Sequence, residues 1–410
     1  MTGSVSATTA PSAKWRTLLL LALAELLALG VWFAATAIVP ALTAAWRLTE
    51  SGQSWLTMSV QIGFVVGAFG STLLNLADLV PARRLFTYSA FLAALATALI
   101  PIAATGLAIA LVLRFLTGMF LAGVYPVGMK IMATWTRKDR GLAIGLLVGA
   151  LTVGSALPHL IRAFGSFEQW RMVLFISAAL AAIAGLTSLL FIREGPYHTP
   201  APRFDWTQIG QILRQRPVAL ANLGYLGHMW ELYAMWAWIP AFFLASFQQQ
   251  GLQDRWASLA SFAVIAAGGF GSLLAGKLAD SHGRTTITIT SLLVSGSCAL
   301  LVGFLFETSP ILLFAMCMLW GFSIVADSAQ FSACVSELCQ PEYTGTALTL
   351  QTSLGFLLTL FTIRMVPLIQ RQVGWEFAFA FLALGPIVGI LAMHTLRRSP
   401  QATRLAGGRG

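Results

Sequence analysis

The chain has 410 residues, of which 57% are hydrophobic and only 10% charged, and its mean hydropathy is +0.79. A soluble fold of this length could not hide so much apolar side chain. The formal charge of +10 lies in short segments between apolar runs, so it reads as a topology signal and not as a nucleic-acid surface.

About twelve windows meet the requirement of ~20 apolar residues for crossing ~30 Å of hydrocarbon. Lipid offers the backbone no partner, so runs this long and continuous are helices, and the expected class is an all-α membrane protein. The first run, from Thr17 to about Leu42, is too long for a secretory signal, contains Glu25 and lacks a small-residue cleavage site, so it is read as a retained helix.

When inter-span segments are assigned alternately to two sides, eighteen Lys and Arg fall on the side of the N-terminus and five on the other. Both ends of the chain are therefore expected in the cytoplasm, with an even number of spans. The longest non-apolar stretch, 193–217, is rich in Pro and Arg and carries a short amphipathic helix around Trp206 to Leu213. It divides the chain into a first six-helix half, 1–192, and a second, 218–410.

The halves echo each other. ELLALGVWFA (25–34) returns as ELYAMWAWIP (231–240), matching Glu25 to Glu231 and Trp32 to Trp238 at an offset of 206. Phe69-Gly70-Ser71 returns as Phe270-Gly271-Ser272, Leu76-Ala77-Asp78 as Leu278-Ala279-Asp280, Gly141 and Ala143 as Gly345 and Ala347, and Trp170 as Trp375, at offsets between 201 and 205. Parallel repeats of this kind place a substrate site near the bilayer midplane between them.

Two motifs are more specific. GKLADSHGR holds Gly276, Asp280, Gly283 and Arg284 in a GxxxDxxGR pattern; its first-half copy, LNLADLVPARRL, keeps Asp78, Arg83 and Arg84 but has Leu74 and Pro81 where glycines belong. RFLTG in the fourth span holds Arg114 and Gly118 in an RxxxG pattern. On these motifs the chain resembles the major facilitator superfamily. The resemblance implies two pseudo-symmetric six-helix halves, about twelve transmembrane helices, and secondary transport by alternating access across a bacterial inner membrane. It also implies a gating role for Asp78, Arg83, Gly276, Asp280, Gly283 and Arg284, and proton coupling around Arg114. The fifth span, GLLVGALTVGSALPHL, has Leu157 before Pro158 where that family's antiporters carry glycine, and loosely resembles branches that move small anions.

Ionisable groups within spans are costly and mark function. Burial disfavours the charged form of a carboxyl, so Glu25, Glu231 and Asp327, together with Arg114, are the expected proton-coupling set. Glu25 and Trp32 share a helix face, as do His228, Glu231 and Trp238, and Arg114 shares one with Tyr125. The expected substrate contacts are Trp32, Arg114, Tyr125, His228, Glu231, Trp238 and Gln330. Arg114 must meet an acid, backbone carbonyls or an anion, and Glu25 is the partner that the resemblance implies. Asp327 either lines the cavity or pairs with Arg364 as structural glue. His159 and Arg162 are read as interfacial, Tyr233 and Trp236 as packing, and Gly141, Gly145 and Gly149, with Gly63 and Gly67, as helix-contact stripes.

The four cysteines have neither disulfide nor zinc spacing, and no phosphate-binding loop is present, so neither metal nor cofactor is expected. The leading expectation is a monomeric, proton-coupled transporter of a small organic or inorganic anion, its partners being the solute, the proton and the lipid bilayer. Expulsion of lipophilic cations is the alternative within that class. A membrane-embedded enzyme would need clustered ligands or a nucleophile and base, whereas the five histidines are scattered; a sensor of the same fold is the third class.

Overall fold

The computed structural model describes residues 11–74, 76–136, 140–165, 169–197, 209–340 and 343–410, and among them there are helices and turns but no strand. Among the described residues, ten helices are long and apolar enough to cross a membrane: Glu50–Leu73, Ala82–Ala103, Leu107–Trp135, Gly141–Phe164, Trp170–Phe191, Asp254–His282, Arg284–Leu305, Pro310–Leu338, Thr344–Val373 and Trp375–Arg397. Two more helical stretches bring the rods of the bundle to twelve among the described residues. The first span comes in three pieces, Pro11–Leu29, Ala34–Ala37 and Val39–Trp46, and the seventh, Arg216–Gln249, carries His228 and Glu231.

Local chemistry sets the boundaries. Thr49 caps the second span by accepting from the Gly52 amide at 3.2 Å, and Glu50 follows in its first turn, where a negative charge suits the helix dipole. Gly283, at φ 89°, makes the turn between the eighth and ninth spans, a conformation that a side chain would strain.

The duplication is visible in the packing. In the first half the first span lies on the sixth, the second on the fourth and the third on the sixth; in the second half the seventh lies on the twelfth, the eighth on the tenth and the ninth on the twelfth. The halves meet where the fifth span runs along the eighth and the second along the eleventh, two pairs that a two-fold operation exchanges.

Glycine makes the tightest of these contacts. A side chain at Gly63 or Gly118 would strike the backbone of Phe115 or Val60, and one at Gly268 or Gly321 would strike the backbone of Gly321 or Val264, so the second–fourth contact recurs as the eighth–tenth. The expected stripe Gly141, Gly145 and Gly149 lies on the seam between halves, facing Asp280, Ser272 and Gly269 of the eighth span.

Both the fourth and the tenth spans break near mid-length. Leu107–Leu121 gives way to Tyr125–Trp135, and Pro310–Ala326 gives way at Asp327 to Ser328–Leu338. These breaks set Tyr125 and Gln330, which are 205 residues apart, at equivalent places in the two halves.

One end of the bundle, here termed the linker face, carries the chain between halves: Trp135 Nε1 donates to the Arg193 carbonyl at 2.8 Å, and the Gly195 amide to Thr134 Oγ1 at 2.7 Å. Of the expected linker, 198–208 lie outside the described residues, and its helix is seen as Ile209–Arg214. At the opposite face Arg371 pairs with Glu50 at 3.0 Å, and deeper in, Thr359 Oγ1 donates to Gln61 Oε1 at 2.6 Å, each bond joining the halves. Leu19, Val112, Ile183, Leu293, Leu319 and Leu391 are exposed around the perimeter, as a lipid-facing surface requires.

Candidate functional site

A cavity of about 330 Å³ lies between the halves and extends toward the linker face. Its inner wall is aromatic. Trp32 packs on Phe64 at 5.1 Å and Phe356 at 5.5 Å between ring centroids, and Tyr233 lies 5.0 Å from Phe356, 5.5 Å from Trp236 and 5.9 Å from Trp32. First, second, seventh and eleventh spans thus meet through rings at the centre. Tyr125, Tyr225, Gln330 and Thr352 add polar atoms to the lining. Trp32 and Trp236 both line the cavity, and their buried indole N–H groups have no hydrogen-bond partner among the described residues. A buried donor left unpaired is costly, and a bound acceptor would offset that cost.

At the linker end, Arg284 binds Glu337 with contacts of 2.6, 2.9 and 3.0 Å and donates from Nη1 to Gln330 Oε1 at 2.8 Å. Arg284 and Glu337 are also part of the lining. The Ala406 amide donates to Glu337 Oε2 at 2.9 Å, Arg409 donates to the Asp280 carbonyl, and the Thr285 amide donates to the Gly410 carbonyl at 3.2 Å. Asp280 holds its carboxylate against Gly141 of the opposite half, and Gly276 also approaches Gly141. Gly276, Asp280, Gly283 and Arg284 therefore sit together where the halves meet. Arg83 is half-buried, and its carbonyl accepts from Ser188 within its own half at 3.3 Å; the side chain of Asp78 lies outside the described residues.

The other expected residues divide. Trp32, Tyr125 and Gln330 line the cavity, but Glu25, Arg114, His228, Glu231 and Asp327 do not; they are buried between helices behind it. Glu231 accepts from Trp320 Nε1 at 2.5 Å and from Ser295 Oγ at 2.9 Å, which ties the seventh span to the ninth and tenth. His228 Nδ1 lies 2.8 Å from Asp327 Oδ1, so Asp327 meets this histidine and not Arg364. Glu25 is fully buried against Gly128, and neither of its carboxyl oxygens has a hydrogen-bond partner among the described residues.

Arg114 departs from the pairing with Glu25. Its Nη1 donates to the Val31 carbonyl at 2.7 Å, its Nη2 to the Trp32 carbonyl and its Nε to the Leu56 carbonyl at 3.3 Å. The first span is interrupted between Leu29 and Ala34, which leaves carbonyls without helical partners, and a guanidinium fork satisfies several at once.

Trp238 also departs: it lines a second cavity nearer the opposite face, with its Nε1 donating to the Ile363 carbonyl at 2.8 Å. Tyr233 and Trp236, read as packing, are instead part of the central wall. Spacing alone could not separate these rings, because the seventh helix is aromatic all round. Arg284 and Glu337 reach the lining because the ninth and tenth spans converge there, and only the GxxxDxxGR pattern signalled Arg284.

A family model for the Major Facilitator Superfamily matches residues 21–363 and 256–410. A putative niacin/nicotinamide transporter, NiaP, of Bacillus subtilis is 27% identical over 216 residues, covering 50% of this chain and 53% of its own length. The chain thus spans about half the length of that relative. A probable 4-methylmuconolactone transporter of Cupriavidus pinatubonensis is 26% identical over 324 residues, covering 73% of this chain and 71% of its own. Among solved structures, the nucleoside transporter NupG superposes with a TM-score of 0.71 at 16% identity, covering 93% of this chain and 99% of its own. The human organic anion transporter MFSD10 gives 0.71 at 14%, covering 94% and 100%. The proton:xylose symporter XylE gives 0.69 at 16%, covering 94% and 96%. Those structural likenesses establish the fold.

Proposed function

The chain belongs to the Major Facilitator Superfamily, and from that premise we propose that it moves a compact, ring-containing carboxylic acid across the bacterial inner membrane together with protons. The observation that carries this reading is the aromatic cavity at the meeting of the halves, with the unpartnered indole N–H groups of Trp32 and Trp236 in its wall. Flat walls suit a flat ring, since offset or edge-to-face aromatic contacts contribute about 0.5–1.5 kcal/mol each beyond burial. Orphaned donors suit a carboxylate. Both sequence relatives are named for transport of small ring compounds, which supports the same class.

In this reading the halves, 1–192 and 218–410, rock about the cavity as rigid bodies in a monomer with both chain ends in the cytoplasm. The linker face is then the cytoplasmic one, and the Asp280, Arg284 and Glu337 cluster is the gate there. Glu25 is the proton carrier, being a buried carboxyl that no donor among the described residues stabilises as an anion. Glu231 and the His228–Asp327 pair set the geometry of the second half.

Counterflow tests the substrate class directly. Proteoliposomes loaded with unlabelled nicotinate are expected to take up labelled nicotinate transiently, and an acyclic acid such as lactate inside should not support it. Exchange of a lipophilic cation such as tetraphenylphosphonium, with none of nicotinate, would overturn the reading.

A further inference from the structure

The second cavity, of about 380 Å³, is lined, like the central one, by residues of the first, fifth, seventh and eleventh spans. Along the first span Trp32 belongs to the central cavity and Thr36, one turn on, to the second; along the seventh Trp236 and Pro240 divide in the same way. At that division stand packed rings, in which Phe33 packs at 5.8 Å on Trp236 and at 6.2 Å on Tyr233. The two spaces are thus separate compartments of similar size.

The second compartment has its own chemistry. His159 and Arg162, three residues apart on the fifth span, share one face of that helix and line it. His159 is 1% exposed and its Nε2 has no hydrogen-bond partner among the described residues. Across from them Trp238 presents a ring whose setting is fixed by its bond to Ile363, and Gln53 and Thr43 add polar atoms from the first half. Arg162 donates from Nη1 to the Gly165 carbonyl at 3.4 Å and interacts electrostatically with Asp254, an acid of the same lining whose Oδ1 accepts from Gln248 Nε2 at 3.0 Å, so a solute carboxylate would share this guanidinium with them.

We propose that this compartment is a second binding site, on the side away from the linker face, for a monocarboxylate of the class the central cavity carries. The proposal rests on the transport reading above. His159 and Arg162 receive the carboxylate, Trp238 stacks on the ring, and Asp254 repels a second negative charge, so dicarboxylates are excluded at this site. A solute held here waits one helical turn from those packed rings, and the site fills before they part.

The test is stoichiometry. Purified full-length protein is dialysed to equilibrium against saturating labelled nicotinate. Two molecules per chain are expected, falling to one in His159→Ala combined with Arg162→Gln. Ser258→Trp, which fills the compartment from a half-buried position and leaves both polar groups in place, is also expected to bind one, and it serves if the double variant fails to fold. Pyridine-2,3-dicarboxylate should displace no more than one. One molecule per chain in the unaltered protein, or two in Ser258→Trp, would overturn the second site and leave the transport reading standing. Absence of nicotinate binding altogether would overturn both.

Discussion

Glu231 accepts a hydrogen bond of 2.5 Å from the indole of Trp320, whereas Glu25, its counterpart in the first half, accepts none from any described residue. Two carboxyls that duplication placed at equivalent positions have thus acquired different environments. One is fastened into its half, and the other has no hydrogen-bond partner among the described residues.

Trp320→Phe removes the shorter of the two bonds to Glu231 and leaves a buried carboxyl with Ser295 alone. A loss of about 1–3 kcal/mol is expected. It should appear as a lower melting temperature in detergent, with nicotinate affinity little changed because Trp320 is outside the cavity lining.

Arg114→Lys replaces a planar fork that satisfies three carbonyls with a single ammonium. We expect destabilisation on the order of 2–3 kcal/mol and a reduced maximal rate, with KM for nicotinate within about twofold of the unaltered value. A large rise in KM at unchanged stability would instead make Arg114 a substrate contact.

Tyr233→Ala and Phe356→Ala each remove a ring from the central wall, where their centroids lie 5.0 Å apart. Each should raise KM for a ring acid by about tenfold, the equivalent of roughly 1.4 kcal/mol. Measured in counterflow, the effect should disappear for a non-aromatic acid of the same charge.

Gly149 lies against the Gly269 carbonyl on the seam between halves, and an added side chain there would approach that oxygen at 3.1 Å. Gly149→Leu is expected to preserve insertion and substrate binding and to slow turnover by at least tenfold, since overpacking of about 1–3 kcal/mol falls on a moving interface. Gly70→Leu, where nothing lies within 4 Å of the added atom, is the matched control and should transport normally.

The twelve spans and their duplication were legible because hydrocarbon thickness imposes length, and because Glu25 and Glu231 or Trp170 and Trp375 recur near one offset. Trp32, Tyr125 and Gln330 were readable as lining residues for the same reason: they lie on polar-marked faces near mid-span. The partners of Arg114 were hidden, since two of them, the Val31 and Trp32 carbonyls, are exposed by a break in the first span whose local signal is Gly30, and the third, the Leu56 carbonyl, comes from the second span. The burial of Glu231 behind the wall was also hidden. Spacing along one helix tells which residues share a face, but the tilt of neighbouring helices decides whether that face meets a cavity or, as here, Ser295 and Trp320.

Accumulation driven by a pH gradient bears most directly on the coupled transport of a ring acid. Proteoliposomes with an alkaline interior should concentrate labelled nicotinate above the level reached without the gradient or with an added protonophore. Glu25→Gln should abolish that accumulation while retaining counterflow, because it removes the proton carrier and leaves the cavity intact. Accumulation by Glu25→Gln equal to that of the unaltered protein, or uptake indifferent to the gradient, would contradict the account.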